Sequence, residues 1–173
     1  MAIRRRAPDD LEQCVALAHL VHQTDGYPAR LPDDMGAFIV NRDAIGAWVA
    51  TVDDRVVGHV ALHRDTAPAV LAAAAEALGR SADQLAVVAR LLVHPEHRRH
   101  GYGDELLQAA ADEARALGKW PVLDVWLRYT QAIALYERRG WQRAGTVTVD
   151  IGAGEPLVEH VYCAPAVERA GGA

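Results

Sequence analysis

Residues 93 to 107, VHPEHRRHGYGDELL, bring His94, His97, His100, Arg98, Arg99, Gly101 and Gly103 into one short stretch. Such a set can ligate a metal, grip nucleic acid or cradle a phosphate. The histidines fall at i, i+3, i+6 across Pro95, so no single helix face presents all of them, and no HExxH spacing supplies a carboxylate. No metal is expected. A nucleic-acid patch would be short, and the chain carries a formal net charge of −5, the wrong balance for that partner. The nucleotide-loop pattern GxxxxGK[ST] is absent, and the GxG at Gly101 and Gly103 is followed by Leu106 where a dinucleotide fingerprint needs a small residue. Two readings remain open. One is an ordinary strand-turn-helix whose glycines serve the turn. The other is a diphosphate site. There, unsatisfied N–H groups at the start of a helix point at an anion, glycine admits it close to the backbone, and Arg98 and Arg99 add positive charge.

The elements around this stretch follow from periodicity. An apolar run, QLAVVARLLV, precedes it and predicts a central strand covered on both faces. Leu106, Leu107, Ala110, Ala114 and Leu117 form a helical stripe after it. Upstream, AIRRR reads as a strand, and Leu11, Val15, Ala18 and Val21 as one face of a helix. MGAFIVNRD predicts a second short helix, and residues 44–65 a hairpin turning at Asp53-Asp54. A helix over about 67–79 follows. Downstream come the strand WPVLDVWL, the helix TQAIALYERRG and a final strand pair. With 173 residues, 51% hydrophobic and 24% charged, this is one mixed α/β domain with a sizeable core. Cys14 and Cys163 stand apart with no CxxC, which fits a reducing compartment. No signal peptide or membrane span is legible. A cytoplasmic protein is expected, with no membrane partner; a homodimer stays open.

The two segments ARLLVHPEHRRHGYGDELL and VLDVWLRYTQAIALYERRGW together resemble the GNAT superfamily of acetyl-CoA-dependent N-acyltransferases. The first matches an apolar strand, V-x-P and (R/Q)-x-x-G-x-(G/A) at Val93, Pro95, Arg98, Gly101 and Gly103; the second matches the ALYERxGF ending at Ala134 to Arg138, Gly140 and Trp141. The resemblance covers nearly the whole chain. It implies a domain over residues 1–166, with 167–173 a frayed tail. Its sheet would be mostly antiparallel, of about seven strands, splayed at the acyl-CoA site and flanked by helices. It also implies acetyl-CoA as the acyl donor. The backbone at Leu91, Leu92 and Val93 would pair with the pantetheine arm and offer an N–H to the oxyanion. The stretch Arg98, Arg99, His100, Gly101, Tyr102, Gly103 and Asp104 would hold the diphosphate. Tyr136 would protonate the departing thiolate.

The pattern also departs from the family. Tyr129 stands where an asparagine is frequent, and LAVVARLLV carries no glutamate to serve as base. Asp124 is the first candidate for that role, with His63 and Glu159 as alternatives. The acceptor groove would be walled by QTDGYPARLPDDMG and IGAGEPLVEHVY. Its acids, Asp25, Asp33, Asp34, Glu155 and Glu159, would attract a cationic amine, and Tyr27 and Met35 would give apolar contact. Asp25, Tyr27 and Glu159 are the substrate-binding candidates. The expected reaction is acetyl transfer to the primary amine of a small molecule by direct attack in a ternary complex; neither cysteine lies in the motifs, which argues against a covalent acyl-cysteine. A protein N-terminal or lysine acetyltransferase, or a non-catalytic CoA-binding regulatory domain of the same fold, is the alternative.

Overall fold

The computed structural model describes residues 2–152 and 154–166; the tail at 167–173 lies outside the described residues. The strands are β1 (Ala2–Arg5), β2 (Ala44–Val52), β3 (Arg55–His63), β4 (Leu85–Val93), β5 (Trp120–Trp126), β6 (Gln142–Val149) and β7 (Leu157–Cys163). The helices are α1 (Leu11–Asp25), α2 (Met35–Val40), α3 (Pro68–Leu78), α4 (Tyr102–Ala116) and α5 (Thr130–Arg138). All the strands join one 7-stranded sheet in the order β1-β2-β3-β4-β5-β7-β6. Only β4 and β5 run parallel, because α4 crosses over between them; the other neighbours are antiparallel. Asp53 and Asp54 turn the β2–β3 hairpin with φ of 47° and 60°, the left-handed pair that a two-residue hairpin requires and aspartate tolerates.

Helices cover both faces. On one, Leu106, Leu107, Ala110 and Ala114 of α4 and Tyr136 of α5 pack on Val60, Leu62, Ala86, Val88, Leu123 and Tyr162. On the other, α1 and α2 bury Cys14, Leu17, Met35 and Ile39 against Val49, Val56 and Leu92. Beside them α3 sets Val70 and Ala74 on Leu85, Val87, Val122 and Val161. Leu117 falls out of the expected stripe: α4 ends at Ala116, and Leu117 is 47% exposed.

The expectation that β4 is covered along its whole length needs correction. It is buried from Leu85 to Val88 and only partly so at Ala89, Arg90 and Leu91. His59 pairs with Leu92 and Ala61 with Ala89, so β4 carries one extra residue, a β-bulge. Arg90 takes up the bulge with φ of 53°. The alternation of side chains then reverses. Ala86 and Val88 face α4, but beyond the bulge it is Leu91 and Val93 that do so, while Leu92 turns to α1 and α2. Pairing of β4 with β5 runs only from Leu85↔Trp120 to Val87↔Val122, after which the strands part.

Tight packing beneath α4 is testable at Gly58 of β3. A Cβ there would meet Leu106 Cδ1 at 2.7 Å, Ala50 Cβ at 3.2 Å and the Leu92 carbonyl oxygen at 3.2 Å. Leu106 is fully buried and has nowhere to move. Gly58→Ala is expected to cost about 1–3 kcal/mol through overpacking, read by denaturant unfolding; an unchanged midpoint would show that the layer yields.

Candidate active site

The stretch between β4 and α4 forms a turn at Pro95–His97 and then a loop in which Arg99 (φ 63°) and Gly101 (φ 90°) are left-handed. Its histidines are used locally. His94 Nδ1 accepts from the Glu96 N–H at 3.3 Å, and His100 Nδ1 donates to the Arg98 carbonyl at 2.8 Å. The backbone N–H groups from Arg99 to Asp104 find no acceptor among the described residues, whereas the next, at Glu105, bonds to the Gly101 carbonyl. That run of free donors at the start of a 15-residue helix has the form of an anion cradle. A Cβ on Gly101 would approach only Glu105, at 3.9 Å, so the cradle is open at that position.

Its side chains are arranged differently from expectation. Arg98 does not lend free charge: it forks onto both carboxylate oxygens of Asp25 and gives its Nε–H to the Val93 carbonyl at 3.3 Å. Asp25 is thereby taken up at the end of α1 rather than in an acceptor groove. Asp104 is held by Arg138 at the end of α5 and by Arg139 just after it, and Tyr102, the first residue of α4, is buried. Arg99 and His100 are exposed. Tyr129 donates to the Gly26 carbonyl at 2.9 Å and packs edge-on against Tyr27, tying α5 to the loop after α1.

Where β4 and β5 part, a cleft of about 360 Å³ opens. Ala89 and Arg90 line it from β4, and Asp124 from β5. Tyr27, Phe38, Asn41 and Asp43 come from the α1–α2–β2 segment, and His63, Asp65 and Thr66 from the end of β3 and the approach to α3. Tyr27, His63 and Asp124 were legible as candidates. Arg90, Asn41, Asp43, Asp65 and Thr66 were not, although a lone arginine in LAVVARLLV was a signal. Met35, read as a groove contact, is buried in the core, and Asp34 caps α2 by accepting from the Ala37 N–H at 2.9 Å.

Asp124 and Glu159 meet on this face. Asp124 pairs with Val161 and Trp126 with Glu159, which sets the two carboxyls diagonally on one side of the sheet. The two carboxyls perturb each other electrostatically, and Thr66 donates to Asp124 at 3.4 Å. Burial raises both above the ordinary carboxylate range, and for Glu159 the nearby Asp124 charge adds to it, as two adjacent carboxylates cannot both ionise cheaply. His63, the third base candidate, is pushed down to about 3 by burial, with Arg90 and His59 adding to the effect. Tyr136 approaches from the opposite face, within the α4–α5 packing. Its hydroxyl has no partner among the described residues, and burial holds the phenol above its usual pKa, helped by Tyr27 and Asp124.

A seven-stranded sheet splayed beside an open run of helix-start N–H groups defines a class of acyl-transferring enzymes. The acetyltransferase (GNAT) family model matches residues 13–141; the chain belongs to this family and is an acyltransferase. The fold is shared with ribosomal-protein-alanine N-acetyltransferase from Brucella melitensis (21% identity, 94% of this chain and 98% of that one covered, TM-score 0.70). It is shared as well with a Salmonella typhimurium protein solved with its cofactor acetyl-CoA (20%, 98% and 96%, TM-score 0.68). An Arabidopsis thaliana protein in complex with acetyl-CoA is similar too (19%, 94% and 97%, TM-score 0.68). Comparison with curated proteins finds no match. Among the described residues no helix is long and apolar enough to cross a membrane.

The carboxyl pair makes stability depend on pH with a definite sign. A carboxyl whose folded pKa is raised binds more proton in the folded than in the unfolded state, so its contribution is full at low pH and is lost as pH rises through the raised value. Wild type should therefore lose stability relative to Glu159→Gln between about pH 4 and pH 9, by about 1 kcal/mol or more. Denaturant unfolding of both proteins across that range checks it; parallel curves would show that the pair is not protonated in the fold.

Proposed function

We propose that this acyltransferase moves the acetyl group of acetyl-CoA to the primary amine of a small molecule, by direct attack in a ternary complex. The observation that carries the reading is the placement of the splay. It lies between a cradle of unpaired N–H groups on one side and a small, carboxyl-bearing cleft on the other. The N–H groups of Arg99 to Asp104 suit the CoA diphosphate. From Val88 onward the β5-side edge of β4 has no strand partner, so the backbone at Leu91 to Val93 is free to pair with the pantetheine arm. An N–H at Leu92 or Val93 stabilises the oxyanion as the amine adds to the carbonyl, a kind of contact worth several kcal/mol.

Two proton movements complete the chemistry. An amine arrives as an ammonium ion and must lose a proton before it can attack. The ionised form of the Asp124–Glu159 pair takes that proton, and its raised pKa brings its basicity closer to that of an amine than an ordinary carboxylate's. The leaving thiolate needs a proton on the other side. Tyr136, kept protonated by burial, supplies it. Cys14 and Cys163 are buried in separate clusters and neither lines the cleft, and burial pushes both thiols up to about 11, which agrees with direct transfer. The cleft volume of about 360 Å³ lies at the small-molecule end of ligand sites.

Free-thiol release from acetyl-CoA across a panel of small amines tests the activity; release with none of them would reject it. Acetyl-CoA at about 100 times its dissociation constant should stabilise the fold by about 2.7 kcal/mol. Gly101→Glu, which places bulk and negative charge in the cradle, should abolish that gain; a retained gain would move the diphosphate elsewhere. Tyr136→Phe should slow single-turnover transfer by about 10² to 10⁴ with acetyl-CoA affinity little changed, and a near-parental rate would confine Tyr136 to packing.

A further inference from the structure

The only charged residue of β4 is Arg90, and it sits at the bulge, where the reversed alternation turns it toward the cleft. Its guanidinium stacks over Phe38 at 4.3 Å. Nη1 reaches the His63 ring, 2.6 Å from Nε2. Nε is sealed from solvent with no hydrogen-bond partner. Nη2 donates to no acceptor among the described residues and is not sealed, so it faces the cleft. No carboxylate among the described residues forms an ion pair with this group, although other arginines, such as Arg4, Arg98 and Arg139, are so paired. His63 is neutral and cannot offset the charge. Asp43, on the cleft wall, exerts a favourable field on the guanidinium without pairing with it. A largely buried cation with no carboxylate in contact is still costly, and the arrangement becomes more favourable once an anion docks on the guanidinium fork.

The acids of the cleft lie elsewhere. Asp124 stands on β5 across the splay, with Glu159 diagonal to it on β7, and Asp43 and Asp65 line the walls. One small space therefore offers a cation on β4 and carboxyls on β5 to whatever enters it. We infer that Arg90 anchors a carboxylate of the acceptor while its amine turns to Asp124 and Glu159, so that the substrate class is a small zwitterion of amino-acid size. This rests on the acetyl-transfer reading above and deepens it. Phe38 and Tyr27 give the molecule apolar contact between its charged ends. A monoamine would leave Arg90 unpaired, and a polypeptide amino terminus brings no carboxylate of its own at that distance.

The test compares acceptors in matched sets: free amino acids, their carboxamides, the corresponding decarboxylated amines, and a short peptide amidated at its carboxyl end. Wild type should favour the free acids in kcat/KM by about 10- to 100-fold, the usual weight of a hydrogen bond to a charged group. Arg90→Met should bring that ratio to within about threefold of unity, with the acetyl-CoA melting shift retained as evidence of an intact fold. Arg90→Lys should keep part of the preference. If wild type uses carboxamides, monoamines or the amidated peptide as well as the acids, the anchor is refuted, even should Arg90→Met fail to fold. If no amine is turned over, the acetyl-transfer reading fails, and melting of the wild-type protein with N-acetyl amino acids and their amides tests the anchor separately. A shift with the acids alone supports it, and equal or absent shifts overturn it.

Discussion

One extra residue in β4 organises this protein. Arg90 lies in the left-handed region, a conformation that disfavours any residue with a Cβ. It is held there by His59, whose Nδ1–H donates to the Arg90 carbonyl at 3.0 Å. His59 is fully buried, and burial pushes its pKa down to about 4, so the ring stays neutral. The bulge reverses the side-chain alternation of the strand, and within the same stretch β4 parts from β5. The parallel ladder ends at Val87, and the bulge follows at once between Ala89 and Leu92, so the parting of the strands and the reversed face fall together.

Several elements hold the space open. Arg98 joins the cradle to Asp25 at the end of α1, and Tyr129 joins α5 to Gly26 just beyond it. Helix α3 buries Val70 and Ala74 on the β5–β7 side of the sheet. The residues that lead into it, Asp65 and Thr66, line the cleft, and Thr66 bonds to Asp124. The helix over 67–79 thus supports the site by packing, and its approach contributes to the site directly.

Groups of both signs gather around this one place: two neighbouring carboxyls, Asp124 and Glu159, an arginine with no carboxylate in contact, and the neutral His63, with the neutral His59 behind the bulge. Each opposes folding to some degree, since removing polar or charged groups from water without full pairing costs free energy. The apolar layers at α4 and α1 offset that cost. Strain of this kind concentrates where ligands and protons must be handled.

Much of the architecture was legible in the chain because local physics determines it. The 3.6-residue stripe of α4, the Asp53-Asp54 turn and the glycine-bearing start of α4 are short-range features, and the two segments around Gly101 and Tyr136 carry the family pattern. The acceptor side was not legible in the same way. Asp25 looked like a groove acid until Arg98, 73 positions away, took it up. Arg90 stood in a run with no usable period, and its direction depends on a bulge created by pairing with β3. Asp124 and Glu159 become a pair only because β5 and β7 lie side by side in one register. The sequence by itself determined the elements and the glycine-bearing helix start with its free N–H groups, since both are built from neighbouring residues. The tertiary structure alone decided which charges meet, because that depends on register between strands far apart in the chain.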